Sequence, residues 1–510
     1  MLRSTELHTE RDFCPNLDED TLSRTRPACN SESGDTLDDP SISRQFARWA
    51  ANVQYEHLPL DVVDKVKALL LHALVGGALG GKSAHAQDIV RLTLAEEARS
   101  DGATIFGVSG KATRIGAAFA NSELIHSSSL FDSYRMLTHP GPVLIPAALA
   151  CAELENRSGR DLIVALAVGY ELVCRLSDDF IPSTAARGFR PSPIYCTLGA
   201  ALVSGKLMGL NEDGLVAAIA LGANFASGLN EGPRVGGNEL MIHEPQATRN
   251  GVFAGLMARA GHIKGAEHSL EGEAGFYNAF IGNSKGRLSY SFKDHESVDM
   301  ATIMSGLGRE YKLLSFMFRI YPCAGYNQPV IELMCEMKDR HRLHADSIQE
   351  VRVAMNWIET QYPSPEFPRF ADWQEPRAGE TTHYFAAHAA VNGGFPVAGA
   401  PPLGPTGIGL LQDEKVLAFM RRVKLVPEKL RPMFSPSISI TMQDGAVHEG
   451  HYPYERMVWD FDQLVNRLAD CQPGYPRGKA GFDSLVAQVR NVASLSTTDA
   501  LFKEMQDSRQ

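Results

Sequence analysis

The sequence predicts a mainly α-helical fold that carries a smaller α+β part, and three observations lead there. From Ile42 onward, apolar residues recur at three- and four-residue spacing in segments rich in Ala, Leu and Gly. After about residue 310 the texture changes. Val351, Val353 and Met355 alternate with polar residues, and so do Ile438, Ile440 and Met442, which run into the hairpin-turn pair Asp444-Gly445. Beyond about residue 456 the helical spacing returns. The expected organisation is an acidic tail over 1–40, a helical domain over 41–310, an α+β domain over 311–455 and helices over 456–510 that rejoin the helical domain.

The tail is expected to be disordered. It holds four basic and ten acidic residues, with Pro15, Pro27 and Pro40 as breakers, and too little apolar surface to offset ordering entropy. That acidity also speaks against a mitochondrial transit peptide. Val62, Val63, Val66, Leu69, Leu70, Ala73 and Leu74 then mark one apolar face of a helix. A second helix is expected over 84–99, and further ones over 111–125, 143–156, 160–176, 196–209, 212–228 and 246–262. Small residues, as in Gly199-Ala-Ala-Leu-Val-Ser-Gly205, suit helices packed closely on one another. Pro-rich connections fill 363–376 and 395–405, and the last helices are expected over 459–469 and 480–508.

A chain of 510 residues with 44% hydrophobic content can bury a large core, in more than one domain. Its formal net charge of -11 argues against a nucleic-acid surface, which needs a basic face, but leaves a small anionic substrate open. The eight Cys are scattered without CxxC spacing, which fits a reducing compartment and gives no zinc signature. The 16 His show no HxxxH or HExxH pairing, so no metal is expected. With no apolar run long enough for a membrane span and no secretory h-region, the chain reads as soluble, intracellular and cytoplasmic.

The densest chemistry lies in His126-to-Pro140, which gathers hydroxyls, an Asp, an Arg and two His. Pro140 pushes His139 out of the α region, so the segment reads as a loop or broken helix ahead of an apolar helix with Pro146 near its first turn. Polar groups before a helix start make an anion site, and the plain alternative is a surface loop with a satisfied His. Gly76-to-Ser83 matches the phosphate-loop pattern with Lys82 as its cation, but the pattern requires a preceding strand, and that segment has helical periodicity. Nucleotide binding there stays a remote alternative. Ser129 and Ser133 lack a base at fixed spacing and fit hydrogen bonding to a carboxylate better than nucleophilic attack. Arg190, before Pro191, and Arg319, in Phe318-Arg-Ile-Tyr-Pro322, can present a fork to a carboxylate; a surface position is the plain reading of either.

Taken in order, these pieces resemble the MmgE/PrpD family, which contains 2-methylcitrate dehydratases and cis-aconitate decarboxylases. The resemblance is carried by His126-to-Pro140 with Pro146-Ala-Ala-Leu-Ala150, Gly169-Tyr-Glu171, Gly199-Ala-Ala201 and Lys206-Leu-Met-Gly-Leu210. It continues through Ala247-Thr-Arg-Asn-Gly251, Leu270-to-Phe276 and the strand-turn from Ile438 to Gly445, so that it covers about residues 42–470. It implies a large all-α domain built from both chain ends, a smaller α+β lid, a homodimer, and an active site between the domains. It also implies a cofactor-independent and metal-free lyase for a small polycarboxylate, either a decarboxylase or a dehydratase of a citrate or alkylcitrate, with an isomerising or non-catalytic relative as the further alternative. By the same resemblance His139 and Tyr384 take the catalytic positions. Ser133 stands where the family has a threonine, Ser129 where it has an aspartate and Arg190 where it has a histidine. Arg319 replaces the lid lysine, and another family lysine falls near Leu240. Arg holds carboxylates well but stays protonated, so Arg190 and Arg319 are expected to bind substrate rather than move protons.

Overall fold

The computed structural model describes residues 40–232, 237–361, 381–399 and 413–506. The expected disordered tail over 1–40 lies outside these residues apart from Pro40, as does most of the two Pro-rich connections. The first helices follow their caps closely. Helix α1 (Ile42–Asn52) is capped by Ser41, whose side chain accepts the Arg44 N–H. Helix α2 (Leu60–Gly80) follows Pro59, and α3 (Ala84–Glu97) is capped by Ser83.

A short antiparallel pair then intervenes, β1 (Ala98–Thr104) with β2 (Lys111–Ala112), where a helix was expected from residue 111. Gly102, Gly107 at φ +73° and Gly110 break the chain there. Helix α4 (Arg114–His126) starts only after Thr113, whose hydroxyl accepts the Gly116 N–H. Helices α5 (Gly141–Leu154) and α6 (Gly159–Ser177, with a Ser158/Asp161 capping box) lie where expected. Helix α7 (Pro191–Leu207) begins five residues before the predicted 196, because Pro191 and Pro193 occupy its first turn, where the missing N–H costs nothing. Helices α8 (Glu212–Phe225) and α9 (His243–Arg259) complete the helical body.

Helix α7 sits at the centre of this body, packed against α5, α6, α8 and α9. The approach to α6 is set by glycines. A Cβ on Gly169 would lie 2.2 Å from Val203 Cγ2, and one on Gly199 would lie 2.5 Å from Val173 Cγ2. Likewise a Cβ on Gly80 would meet the Leu124 carbonyl at 1.7 Å, which brings α2 onto α4. The glycine-rich run before Lys82 is therefore a helix-packing surface. No strand precedes it, its residues through Gly80 belong to α2, and the Lys82 ammonium donates to the Gly474 carbonyl at 2.6 Å. The phosphate-loop alternative is set aside on that geometry.

The second part of the fold is a four-stranded sheet. After β3 (Asp132–Ser133), β4 (Met317–Phe318) and α10 (Gln328–His341) comes β5 (Ile348–Asn356), flanked by β6 (Val423–Glu428) in parallel and β7 (Ser437–Met442) antiparallel. A hairpin through Gly445, at φ +85°, leads to β8 (Val447–His451). Val351 faces Ile440 and Val353 faces Ile438 across the ladder, all four buried, as the alternation predicts. Helices α11 (Thr382–Asn392) and α12 (Glu414–Met420) accompany this sheet.

Both chain ends meet in the helical body. Helices α13 (Phe461–Leu468) and α14 (Gly478–Arg490) pack on α2. Buried Lys65 on α2 donates to the carbonyls of Phe316 and Trp459, each at 2.9 Å. The predicted 480–508 helix is interrupted before α15 (Asp499–Met505), where Asn491, Ser494 and Thr497 bond locally to the chain instead of continuing a helix. Among the described residues no helix is long and apolar enough to cross a membrane.

Gly169→Leu is expected to cost about 1–3 kcal/mol by overpacking the α6–α7 contact, read as a lower melting temperature. Lys82→Ala should leave stability nearly unchanged, and ATP should not raise the melting temperature of either protein.

Candidate active site

The polar segment ahead of α5 is held by its one aspartate. Asp132 Oδ1 accepts the Gly141 N–H at 2.8 Å, and Oδ2 accepts the Tyr170 hydroxyl at 2.6 Å. Burial pushes this carboxyl up to about 6, against those two bonds. The loop between is strained, with Ser129, Arg135 and Leu137 all at positive φ (60°, 53° and 67°). A turn closed by Tyr134 N–H on the Thr138 carbonyl at 3.1 Å then delivers His139. The His139 backbone N–H donates to Ser192 Oγ at 3.1 Å, at the start of α7.

The ring of His139 is defined by its Nδ1. That nitrogen lies 3.0 Å from the Asp132 carbonyl and 3.0 Å from Ser133 Oγ. A carbonyl can only accept, so Nδ1 carries the proton and Nε2 keeps its lone pair. Burial, with Arg319 and Arg190 adding to it, holds His139 well below the usual histidine range, so the free protein carries it neutral.

Arg319 reaches this place through a two-residue ladder. Asp132 pairs with Phe318 and Ser133 with Met317, and the Arg319 N–H donates to the Phe131 carbonyl at 3.1 Å. His72 donates from Nε2 to the Arg319 carbonyl at 2.8 Å, from a ring that burial holds down to about 4. The guanidinium lies 4.3 Å above the Phe131 ring centroid, and the same ring lies 5.1 Å from both His126 and His139. Among the described residues only Nη1 of Arg319 has an acceptor, the Cys323 carbonyl. Nε and Nη2, both buried, have none among the described residues. Burial lowers this guanidinium to about 10.

Arg190 is close by but differently placed. Its Nη1 is paired with Glu244, which is fully buried and also lies 3.4 Å from His126 Nε2. Burial alone would raise the Glu244 carboxyl, yet Arg190 and His126 hold it down to about 2. Arg190 is thus paired directly with a carboxylate, whereas among the described residues Arg319 has no ion-pair partner in contact. Four of the residues singled out from sequence (Ser133, His139, Arg190 and Arg319) come together. Ser129 closes the end of α4, its N–H donating to the His126 carbonyl at 3.1 Å. Tyr384 lies on α11, and among the described residues its ring contacts include Phe385, His388 and Phe395. Phe131, Glu244 and Ser192 were not singled out from the sequence because their contacts to Arg319, Arg190 and His139 are made across the fold, and Asp132 was noted only as part of the polar segment.

Fold and site together define a helical protein with a buried guanidinium held open beside a neutral histidine, a place for a small organic anion. Residues 44–289 match the profile of the MmgE/PrpD N-terminal domain, so this helical part of the chain is similar to that family's. A cis-aconitate decarboxylase from Aspergillus terreus is 25% identical over 354 residues, covering 65% of this chain and 70% of that protein. The human cis-aconitate decarboxylase is 25% identical over 421 residues, covering 80% and 82%, and the mouse protein 24%, covering 79% and 80%.

An uncompensated buried cation is costly to the free protein. Arg319→Met is therefore expected to melt at or above the parent temperature while losing anion binding; a fall of many degrees would make Arg319 a structural residue. Asp132→Asn, which can accept only one of its two bonds, should cost about 1–3 kcal/mol.

Proposed function

We propose that the protein is a cofactor-independent lyase that decarboxylates a cis-aconitate-like tricarboxylate, possessing the same acid-handling site for alkyl-substituted forms. The observation that carries this reading is the pair of unpartnered N–H groups of Arg319, buried beside His139. The similarity to cis-aconitate decarboxylases supports it. In this reading Arg319 clamps a retained carboxylate through Nε and Nη2, while Ser129 and Ser133 position the acid. The bond to the departing carboxylate breaks, CO₂ leaves, and the electron pair stays on an allylic carbanion delocalised toward the carboxylate on Arg319. A proton from His139 or Tyr384 then completes the product, so each turnover consumes one proton.

The state of His139 in the free protein shapes this step. It is neutral, with Nε2 able to accept. A polyanion bound on Arg319 raises its proton affinity, so substrate arrival loads the acid. Arg190, already balanced by Glu244, contributes a second, weaker hold. The sheet-bearing region acts as the lid over this site, and the working form is a homodimer, which sedimentation would test.

The second reading is dehydration of 2-methylcitrate or an alkylcitrate, favoured by the same neutral Nε2 acting as a base. The two differ in sign. An acid at His139 makes kcat fall as pH rises through the histidine pKa of the complex. A base makes kcat/KM fall as pH drops toward the free His139 value, well below 6.5. Incubation with cis-aconitate, 2-methylcitrate and longer alkylcitrates, followed by mass spectrometry for loss of CO₂ or water, decides between them. His139→Ala should lose about 10²–10⁴-fold in turnover, and normal turnover would remove His139 from the chemistry. Arg319→Gln should lose about 10- to 100-fold in kcat/KM, the worth of a charged hydrogen-bonded contact.

A further inference from the structure

Two pairs of buried polar groups, His85 with Glu123 and His126 with Glu244, are joined through the last turn of α4, which carries Glu123 and His126, and the chemistry above does not use them. Glu123, on the last turn of α4, is 0% exposed. Its Oε1 accepts the Ser127 hydroxyl at 2.5 Å and lies 3.6 Å from Nε2 of His85, whose side chain is 31% exposed and so reaches the surface. Its Oε2 has no hydrogen-bond partner among the described residues; the same holds for His85 Nε2, Glu244 Oε2 and His126 Nδ1. Glu244 Oε2 lies 3.4 Å from His126 Nε2, and the His126 ring stacks on Phe131 next to His139. Native proteins leave few buried polar atoms unsatisfied, so four on two pairs joined by one helix turn ask for a purpose.

A structural role serves Glu123 poorly. A carboxylate in the last turn of a helix meets the negative end of the helix dipole. Burial, with Glu244 adding to it and Ser127 opposing, pushes its carboxyl up to about 8, so it holds a proton at neutral pH.

From these pairs we infer that His85, Glu123, Glu244 and His126 relay protons from solvent to the site, with Glu123 as the buried reservoir. The inference rests on the lyase reading, because a decarboxylation that adds one proton to carbon per turnover must draw that proton from outside. Each member accepts one proton and releases one. His85 takes it from water or a buffer acid, Glu123 passes its own on to Glu244, and His126 accepts at Nε2 and gives up the Nδ1 proton to the site. No bond other than those to hydrogen changes. These four are relay residues; the groups that touch substrate remain Arg319 and His139.

Glu123→Gln keeps the shape and the Ser127 bond but cannot pass a net proton, and it should melt within a degree or two of the parent. In rapid-mixing assays with cis-aconitate its first turnover should proceed at the parent rate, and later turnovers at least 10-fold slower. His85→Ala should show the same pattern, with the steady-state rate restored by added imidazole. Equal first and later rates in Glu123→Gln, or a first turnover slowed as much as the rest, would overturn the relay. One readout needs no turnover. In infrared difference spectra the protonated Glu123 carboxyl should exchange with D₂O at least 10-fold more slowly in His85→Ala than in the parent. Unchanged exchange overturns the relay even if the lyase reading stands, and absence of CO₂ or water loss from every acid tested removes the lyase reading on its own.

Discussion

The site depends on one small piece of pairing, the two-residue ladder between Asp132-Ser133 and Met317-Phe318. It joins a loop of the helical body to a segment about 185 residues later. Through it the Arg319 N–H meets the Phe131 carbonyl, and the guanidinium comes to rest on the Phe131 ring beside His139. Neither partner could hold that arrangement alone. Asp132 fixes the near side by capping α5 and accepting from Tyr170, and His72 and Lys65 fix the far side by bonding the carbonyls of Arg319 and Phe316.

The electrostatics of the site follow from what each cation is given. Arg190 has Glu244, while Arg319 has a single carbonyl and an aromatic face. A phenyl ring attracts a cation far less than a carboxylate does, so Arg319 keeps most of its demand for an anion. Burial, with Arg319 and Arg190 adding to it, depresses His139 in the free protein. Positive φ at Ser129, Arg135 and Leu137 shows that the loop is bent against its preference to make this possible.

Much of this was legible in the chain. The helical body, the alternating strands and the Asp444-Gly445 hairpin stand as their periodicities predict, because side-chain period is a local property that burial then reads out. The short pair β1–β2 was missed, since Lys111-Ala112 carries too few residues for an alternation to register. Glycines before Lys82 imitated a phosphate loop because close helix packing and phosphate cradling both select the absence of a side chain.

Residue types and their spacing along the chain carried most of the element types and the polar segment before α5, and offered Ser133, His139, Arg190 and Arg319 as candidates for a carboxylate. Only the tertiary structure decided which arginine is balanced and which is open, which nitrogen of His139 carries its proton, and that Asp132, Phe131 and Glu244 belong with them. The physical reason is that charge, protonation and hydrogen-bond satisfaction depend on distances across the fold and on exclusion of water. Residue spacing along the chain carries neither.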